Sequence, residues 1–247
     1  MKALITGASS GIGRDIAREL SKKGYSLVLV ARNLERLEKL KEELQTESEI
    51  VSMDVTDVEK CKELHENHKD IDILVNNAGF GDCGEFTKTN LDKELKMIDT
   101  NIKAYHVLTK LYLKDMKEKD KGIILNVASI AGFMPGPLMA TYYSTKAYVV
   151  RLSEALREEL RKAKSNVQIS ILCPGPVDTN FNKVADVQFA LKGLSSEYVA
   201  KYTVKKLLKG KFYIVPGWKI KLAKIACKIS PTNIVSMVSY NMQRRKI

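Results

Sequence analysis

The first thirty residues constrain the chain most. Lys2 to Thr6 and Ser26 to Ala31 are short apolar runs suited to buried strands, and Ile12 to Lys23 between them is a helical segment closed by Gly24. The strand reaches the helix through Thr6-Gly7-Ala8-Ser9-Ser10-Gly11-Ile12-Gly13. Gly7 permits the tight exit from the strand, Gly11 lets backbone approach a ligand, and Gly13 lets the helix pack close on the sheet. The segment therefore predicts a strand, crossover helix and parallel strand. The alternation continues with a helix over Leu34 to Leu44, a strand over Ile50 to Asp54, a helix over Val58 to His68 and a strand over Ile71 to Asn76. Strands at Gly122 to Val127, Val167 to Leu172 and Phe212 to Val215 then alternate with helices near 91 to 119, 141 to 164 and 196 to 209. Repeated units of this kind predict an α/β fold, a single Rossmann-type doubly wound domain with a mostly parallel seven-stranded sheet flanked by helices. Ligands on such a sheet gather at the carboxyl ends of the strands.

Charge separates the end of the chain from the rest. The 247 residues carry a net charge of +12, yet from residue 201 onward there are twelve Lys or Arg and no Asp or Glu, leaving 29 basic and 29 acidic residues before it. The division expected is a dinucleotide-binding and catalytic domain over 1–215 and a basic helical C-terminal extension over 216–247. No stretch approaches the length of a membrane-spanning helix. Met1-Lys2 leads straight into the first strand with no secretory pattern. Cys61, Cys83, Cys173 and Cys227 are too scattered for a metal site or a disulfide frame. A cytoplasmic protein is expected.

Tyr142 and Lys146 carry the chemistry. Residues four apart share a helix face, so the Lys146 ammonium can lie beside the Tyr142 phenol and favour phenolate, whereas Tyr143 has only Ala147 at that spacing. A free phenol titrates near pH ~10, and a neighbouring cation is expected to lower it toward useful acid–base chemistry. Ser129 supplies a hydroxyl for a carbonyl oxygen. Taken alone, Tyr-x-x-x-Lys in a Lys-rich chain reads equally as a solvated helical face.

The joint pattern is more specific. Thr6-Gly7-x-x-x-Gly11-x-Gly13, Asn76-Asn77-Ala78-Gly79, Asn101, Ser129, Tyr142-x-x-x-Lys146 and Pro174-Gly175 fall in the order and at the spacings of the short-chain dehydrogenase/reductase family, which residues 1 to 215 resemble. The resemblance implies an oxidoreductase interconverting a carbonyl and a secondary alcohol, with Asn101, Ser129, Tyr142 and Lys146 catalytic. It implies that Tyr142 exchanges the proton, Ser129 orients the substrate oxygen, Lys146 also binds the nicotinamide ribose, and Asn101 holds a water linked to the lysine. It also implies a cofactor site built from Gly7, Ser9, Ser10, Gly11, Ile12, Gly13, Arg32, Asp54, Val55, Asn77, Ala78, Gly79, Tyr142, Lys146, Pro174, Gly175, Val177 and Thr179. Asn76 reads as structural, and Asp57 as the cap of the helix that follows Asp54.

Cofactor preference is read at the end of the second strand. An acidic residue there would bind the ribose hydroxyls of NAD, but the chain has Ala31-Arg32-Asn33, and Arg32 can clamp the extra phosphate of NADP. NADP(H) is expected over NAD(H), with Arg14 adding positive potential or simply facing solvent. The substrate lid is expected over residues 178–194, and the pocket is expected among Phe80, Ile130, Phe133, Met134, Tyr142 and Phe181, for a small, mainly apolar carbonyl or alcohol.

The tail is what the resemblance explains least. In Gly217 to Ile229, the residues Trp218, Leu222, Ile225 and Ile229 form one apolar stripe, with Lys221, Lys224 and Lys228 on another side. Ser230-Pro231 predicts a cap and first helical residue for a second helix. Packing of the stripe on the body or on a partner subunit is the leading reading, and peripheral membrane contact is the alternative. Nucleic-acid binding is not expected, because no recognised motif accompanies the charge. The family resemblance suggests a homodimer or homotetramer through helices near 101 to 119 and 141 to 164. No metal is expected, and His65 and His68 are read as solvated. A nucleotide-binding protein with a regulatory or assembly role rather than turnover is the competing function class.

Overall fold

The structure, a computed structural model, describes residues 1–179, 181 and 193–244. Its core is a sheet in the order β3-β2-β1-β4-β5-β6-β9, with every neighbouring pair parallel. The strands are β1 (Lys2–Thr6), β2 (Ser26–Ala31), β3 (Ser48–Ser52), β4 (Ile73–Asn76), β5 (Ile123–Val127), β6 (Gln168–Leu172) and β9 (Tyr213–Ile214). A separate two-residue ladder joins β7 (Val177–Asp178) to β8 (Leu194–Ser195). The strand order reverses between β1 and β4, and a crevice opens there because consecutive connections leave in opposite directions.

Successive side chains of a strand point to opposite faces, and the two cores follow that rule. Leu4, Val28, Leu74 and Ile124 enter one core, beneath α3 (Val58–Asn67), α5 (Ala104–Glu118) and α6 (Ala140–Lys162). Ile5, Leu29, Val75 and Leu125, one residue further along each strand, enter the other. That face is covered by α1 (Gly11–Ser21), α2 (Leu34–Glu43) and α7 (Ser196–Leu207). A buried carboxylate ties α1 to α7: Asp15 accepts from Arg14 Nε at 2.9 Å, from Arg18 at 2.8 Å and from the Ser196 hydroxyl.

Two expectations shift locally. The single helix near 91 to 119 divides into α4 (Leu91–Ile98), a π-helical turn (Asp99–Lys103) and α5. The third strand runs two residues earlier than expected, so Asp54 lies beyond it, where its carboxylate accepts from the backbone and hydroxyl of Thr56 at 3.0 Å and closes a turn. Asp57 caps α3, as its position suggested.

Beyond β9, Gly217 turns the chain at φ +83° into α8 (Trp218–Ile229), followed by α9 (Thr232–Gln243). Pro231 is the extended cap residue of α9 rather than its first helical residue: its carbonyl accepts from Ile234 and Val235, and Ser230 instead ends α8. Among the described residues, no helix is long and apolar enough to cross a membrane.

Candidate active site

The Gly turn, the loop after β4, Ser129, Tyr142, Lys146 and Pro174-Gly175 gather around one cavity of about 1150 Å³. Gly7 follows β1 at φ +67° and Gly11 opens α1 at φ +55°, both in the region that glycine occupies without strain. The Gly turn is clamped by the loop after β4. Asn77 Nδ2 donates to the carbonyls of Thr6 (3.0 Å) and Gly7 (3.2 Å), while the Thr6 hydroxyl accepts from the backbone of Asn77 and Ala78. A β-carbon on Gly13 would lie 2.3 Å from that Asn77 amide, so Gly13 makes room for the clamp as well as for the sheet. Asn76 is buried and structural, donating to Thr109 (3.0 Å) and Asn126 (2.9 Å).

At the end of β2 the cavity wall is cationic. Arg32 is exposed and reaches Asp54 at 3.7 Å, and Arg36, one turn into α2, joins it together with Lys93 and Lys96 of α4. Asn33 caps α2 by accepting from Arg36 N at 2.8 Å. Burial opposes ionisation of Asp54, but hydrogen bonds from Thr56 and the charge of Arg32 hold its carboxyl below the usual range. Arg14 belongs elsewhere. Its guanidinium is taken by Asp15 and lies 3.8 Å from Glu197 on α7, so it lends nothing to the cavity.

Further along, Ser129 caps a short 3-10 turn (Ile130–Phe133), accepting from Ala131 N at 3.2 Å. Its hydroxyl also faces the Tyr142 phenol and acts to lower that phenol's pKa. Lys146, one turn below Tyr142 on α6, is buried and donates to the Val127 carbonyl at 2.9 Å; its ammonium lies 5.9 Å from the Tyr142 ring centre. Burial holds this lysine down to about 8. The expected depression of the phenol by the lysine is not met: burial pushes Tyr142 up, and the opposing pull comes from Ser129. Lys146 spends its nearest contact on a carbonyl instead.

Asn101 sits at the centre of the π-helical turn, fully buried. Its amide accepts from Phe80 N (3.1 Å) and donates to Phe80 O (2.9 Å) and Thr145 Oγ1 (3.1 Å), which fixes the loop beyond Gly79 against α6. Such turns carry an extra residue per turn and often mark functional sites.

The far end of the cavity is apolar. Phe80, Ile130, Met134, Tyr142 and Phe181 line it as expected, with Phe181 at 5.3 Å from the Tyr142 ring. Phe133 does not: it turns to the other side of its 3-10 turn, against Tyr213 and beneath the Lys224 ammonium. The expected lid over 178–194 lies largely outside the described residues. Of its described part, Thr179 meets the Gly turn, since a β-carbon on Gly11 would stand 3.0 Å from its methyl. The missed wall is C-terminal. Ile220, Ala223 and Cys227 of α8 and Ile234, Val238 and Met242 of α9 line the cavity, and a β-carbon on Gly175 would strike Ile220 at 2.4 Å.

The tail expectation is thereby corrected. The stripe that dominated the pattern, Trp218, Leu222, Ile225 and Ile229, faces outward, and the less hydrophobic opposite side of α8 packs on the body. His65 and His68 are also buried rather than solvated, because His65 pairs with Asp115 at 2.7 Å and stands edge-on to Tyr112. Among the described residues no group of side chains could hold a metal ion.

The family model for short chain dehydrogenases matches residues 1–188. The chain belongs to the short-chain dehydrogenase family. This short-chain dehydrogenase is 38% identical over 190 residues to a protein of Staphylococcus epidermidis described as an uncharacterised oxidoreductase, covering 74% of this chain and 81% of that one. Among solved structures it is similar to a short-chain dehydrogenase from Sphingobium yanoikuyae in complex with NADPH, with a TM-score of 0.83, 26% identity and 92% of each chain covered. It is similar also to a short-chain dehydrogenase/reductase from Burkholderia phymatum in complex with NAD, with a TM-score of 0.82, 25% identity and 91% of each chain covered. As a member of this family the chain is an oxidoreductase.

Proposed function

We propose that this protein is an NADP(H)-dependent oxidoreductase that interconverts a carbonyl and a secondary alcohol on a mainly apolar substrate. The observation that carries the reading is the gathering of the Ser129 hydroxyl, the Tyr142 phenol and the Lys146 ammonium between a glycine-lined crevice and an apolar pocket within one cavity.

The residues fit a dinucleotide. Glycines 7 and 11 leave backbone open at the amino end of α1, where anionic phosphates are favoured. Arg32 and Arg36, with no acidic residue in Ala31-Arg32-Asn33, suit the extra phosphate of NADP. Asp54 and Val55 would border the adenine, Asn77, Ala78 and Gly79 the nicotinamide ribose, and Pro174, Gly175, Val177 and Thr179 the carboxamide end. The nicotinamide, when bound, supplies or accepts the hydride.

The chain manages the proton. In reduction the Tyr142 phenol donates it to the substrate oxygen, which Ser129 orients by a hydrogen bond. The raised phenol keeps that proton at neutral pH, and the Lys146 ammonium stabilises the phenolate left behind. Asn101 holds the Phe80 backbone and the α6 face that carry these groups in register.

The protein is further proposed to act in the cytoplasm as a homodimer or homotetramer through α5 and α6. NADPH and NADH oxidation with aliphatic, aromatic and steroid ketones tests the function. Turnover with NADPH supports it, and absence of turnover with both cofactors across the whole panel, with NADPH still bound, overturns it in favour of a regulatory role.

A further inference from the structure

Helix α8 carries apolar side chains on two opposite sides. Ile220, Ala223 and Cys227 face the cavity, and Lys224 stacks on Tyr213 and Phe133, so this side is anchored to the body. On the other side Trp218, Leu222, Ile225 and Ile229 stand 67%, 56%, 58% and 78% exposed. Met237 of α9 is also exposed. Large side chains left contiguous in water mark an interaction surface.

The flanks of the stripe are wholly basic. Lys219 lies on one side of it and Lys221 and Lys228 on the other, and no acidic residue follows Glu197 in the sequence. Beside Ile225 is a second, smaller cavity of about 300 Å³ lined by Lys206, Lys211, Lys221 and Lys224 with Tyr202 and Tyr213. Among the described residues none of these four lysines forms an ion pair; the Glu154 carboxylate, whose charge acts on Lys224, is itself taken by the Tyr213 hydroxyl and Arg151.

We propose that the outer face of α8 docks on an anionic membrane surface, with the apolar stripe at the depth of the acyl boundary and headgroup phosphates at the lysine cavity. The charge pattern selects this occupant. A second copy meeting the same face about a twofold axis would set Lys219, Lys221 and Lys228 against their own mates, with nothing acidic nearby to neutralise them. Acidic headgroups complement those lysines, and an indole beside lysines suits the interface. The surface is distinct from the reaction, because the stripe residues do not line the large cavity. It also leaves the pocket wall of α8 and α9 immediately above the membrane, where an apolar substrate would be concentrated.

Trp218 is the one tryptophan of the chain, so its emission reports this face alone. The test titrates the full-length protein with phosphatidylcholine vesicles with and without phosphatidylglycerol, following Trp218 emission and cosedimentation. Docking is expected to shift emission to the blue and to sediment the protein with the phosphatidylglycerol vesicles, weakening as salt rises. Lys219→Gln/Lys221→Gln/Lys228→Gln is expected to lower partitioning on the order of 100-fold, at about 1 kcal/mol per lysine. The wild-type salt and lipid dependence keeps the test decisive should the variant fold poorly. Unmoved emission and protein left in the supernatant overturn the proposal, as does equal binding to vesicles lacking phosphatidylglycerol. A concentration-dependent blue shift without vesicles, lost in Leu222→Ser/Ile229→Ser, would assign the face to a second copy and overturn it too.

Discussion

Asn101 and Lys146 converge on Gly79: a β-carbon there would lie 2.9 Å from Asn101 Oδ1 and 3.5 Å from Lys146 Nζ. The Asn101 contact is the one that would have to give, and it cannot do so cheaply. Asn101 is locked by three hydrogen bonds to Phe80 and Thr145, and Lys146 by the Val127 carbonyl. The loop after β4, the π-helical turn and α6 are thus held together at a position where only hydrogen fits.

Gly79→Ala should therefore damage geometry more than stability. Overpacking of this kind costs about 1–3 kcal/mol, and displacement of Asn101, which holds the Phe80 backbone against α6, should lower kcat about tenfold or more. Urea melts alongside kcat measurements check this, and an unchanged kcat would contradict the convergence.

Lys146 gives a pH signature. Its folded pKa, about 8, lies below the ordinary 10.5, so the folded state sheds this proton more readily than the unfolded chain. Between those two values the unfolded state binds more protons, and stability contributed by this group rises with pH. Burying the charge costs stability fully below about pH 8, and the cost is relieved as pH climbs toward 10.5. Wild type should gain stability relative to Lys146→Met across that alkaline window, by a few kcal/mol on the scale of about 1.4 per pH unit. Parallel denaturation curves for the two proteins would count against a depressed lysine.

Cofactor preference should turn on the cationic corner. Arg32→Ala is expected to raise KM for NADPH about 10- to 100-fold, the worth of a charge-assisted hydrogen-bond pair, with little change for NADH. Arg36→Ala should act in the same sense. Equal losses for the two cofactors would remove the phosphate-clamp role.

The parts of this account that were legible in the sequence are those where one local pattern has one local consequence. Apolar runs between helical segments marked β1, β2, β4, β5 and β6, because strands buried on both faces read as unbroken hydrophobic runs, whereas the half-exposed β3 was placed two residues late. Glycines at Gly7 and Gly11 announced their turn. The π-helical turn at Asn101 left no such mark, since an extra residue in a helix arises from the contacts of Asn101 with Phe80 and Thr145 rather than from composition. Arg36 could have been found as the residue one turn beyond Arg32, whereas Lys93 and Lys96 arrive from a distant helix. On α8 the periodic signal was real but its direction was misread: hydrophobicity marks an apolar face without saying what covers it, and the weaker Ile220, Ala223, Cys227 side is the one that packs. The sign of the Tyr142 shift was missed for a similar reason, because spacing reports proximity and not burial.

The C-terminal wall should set the size of the substrate. Ile220→Ala and Val238→Ala each remove apolar contact from the cavity lining, and each should raise KM for bulky ketones about tenfold while leaving small ketones nearly unaffected. A uniform loss across substrate sizes would show instead that α8 and α9 act only through stability.

The central claim is that Tyr142 moves the proton. Single-turnover NADPH oxidation with a competent ketone, compared between wild type and Tyr142→Phe, measures it most directly, with NADPH affinity recorded for both. The account predicts loss of at least 100-fold in the chemical step with cofactor binding retained; turnover by Tyr142→Phe at the wild-type rate would contradict it.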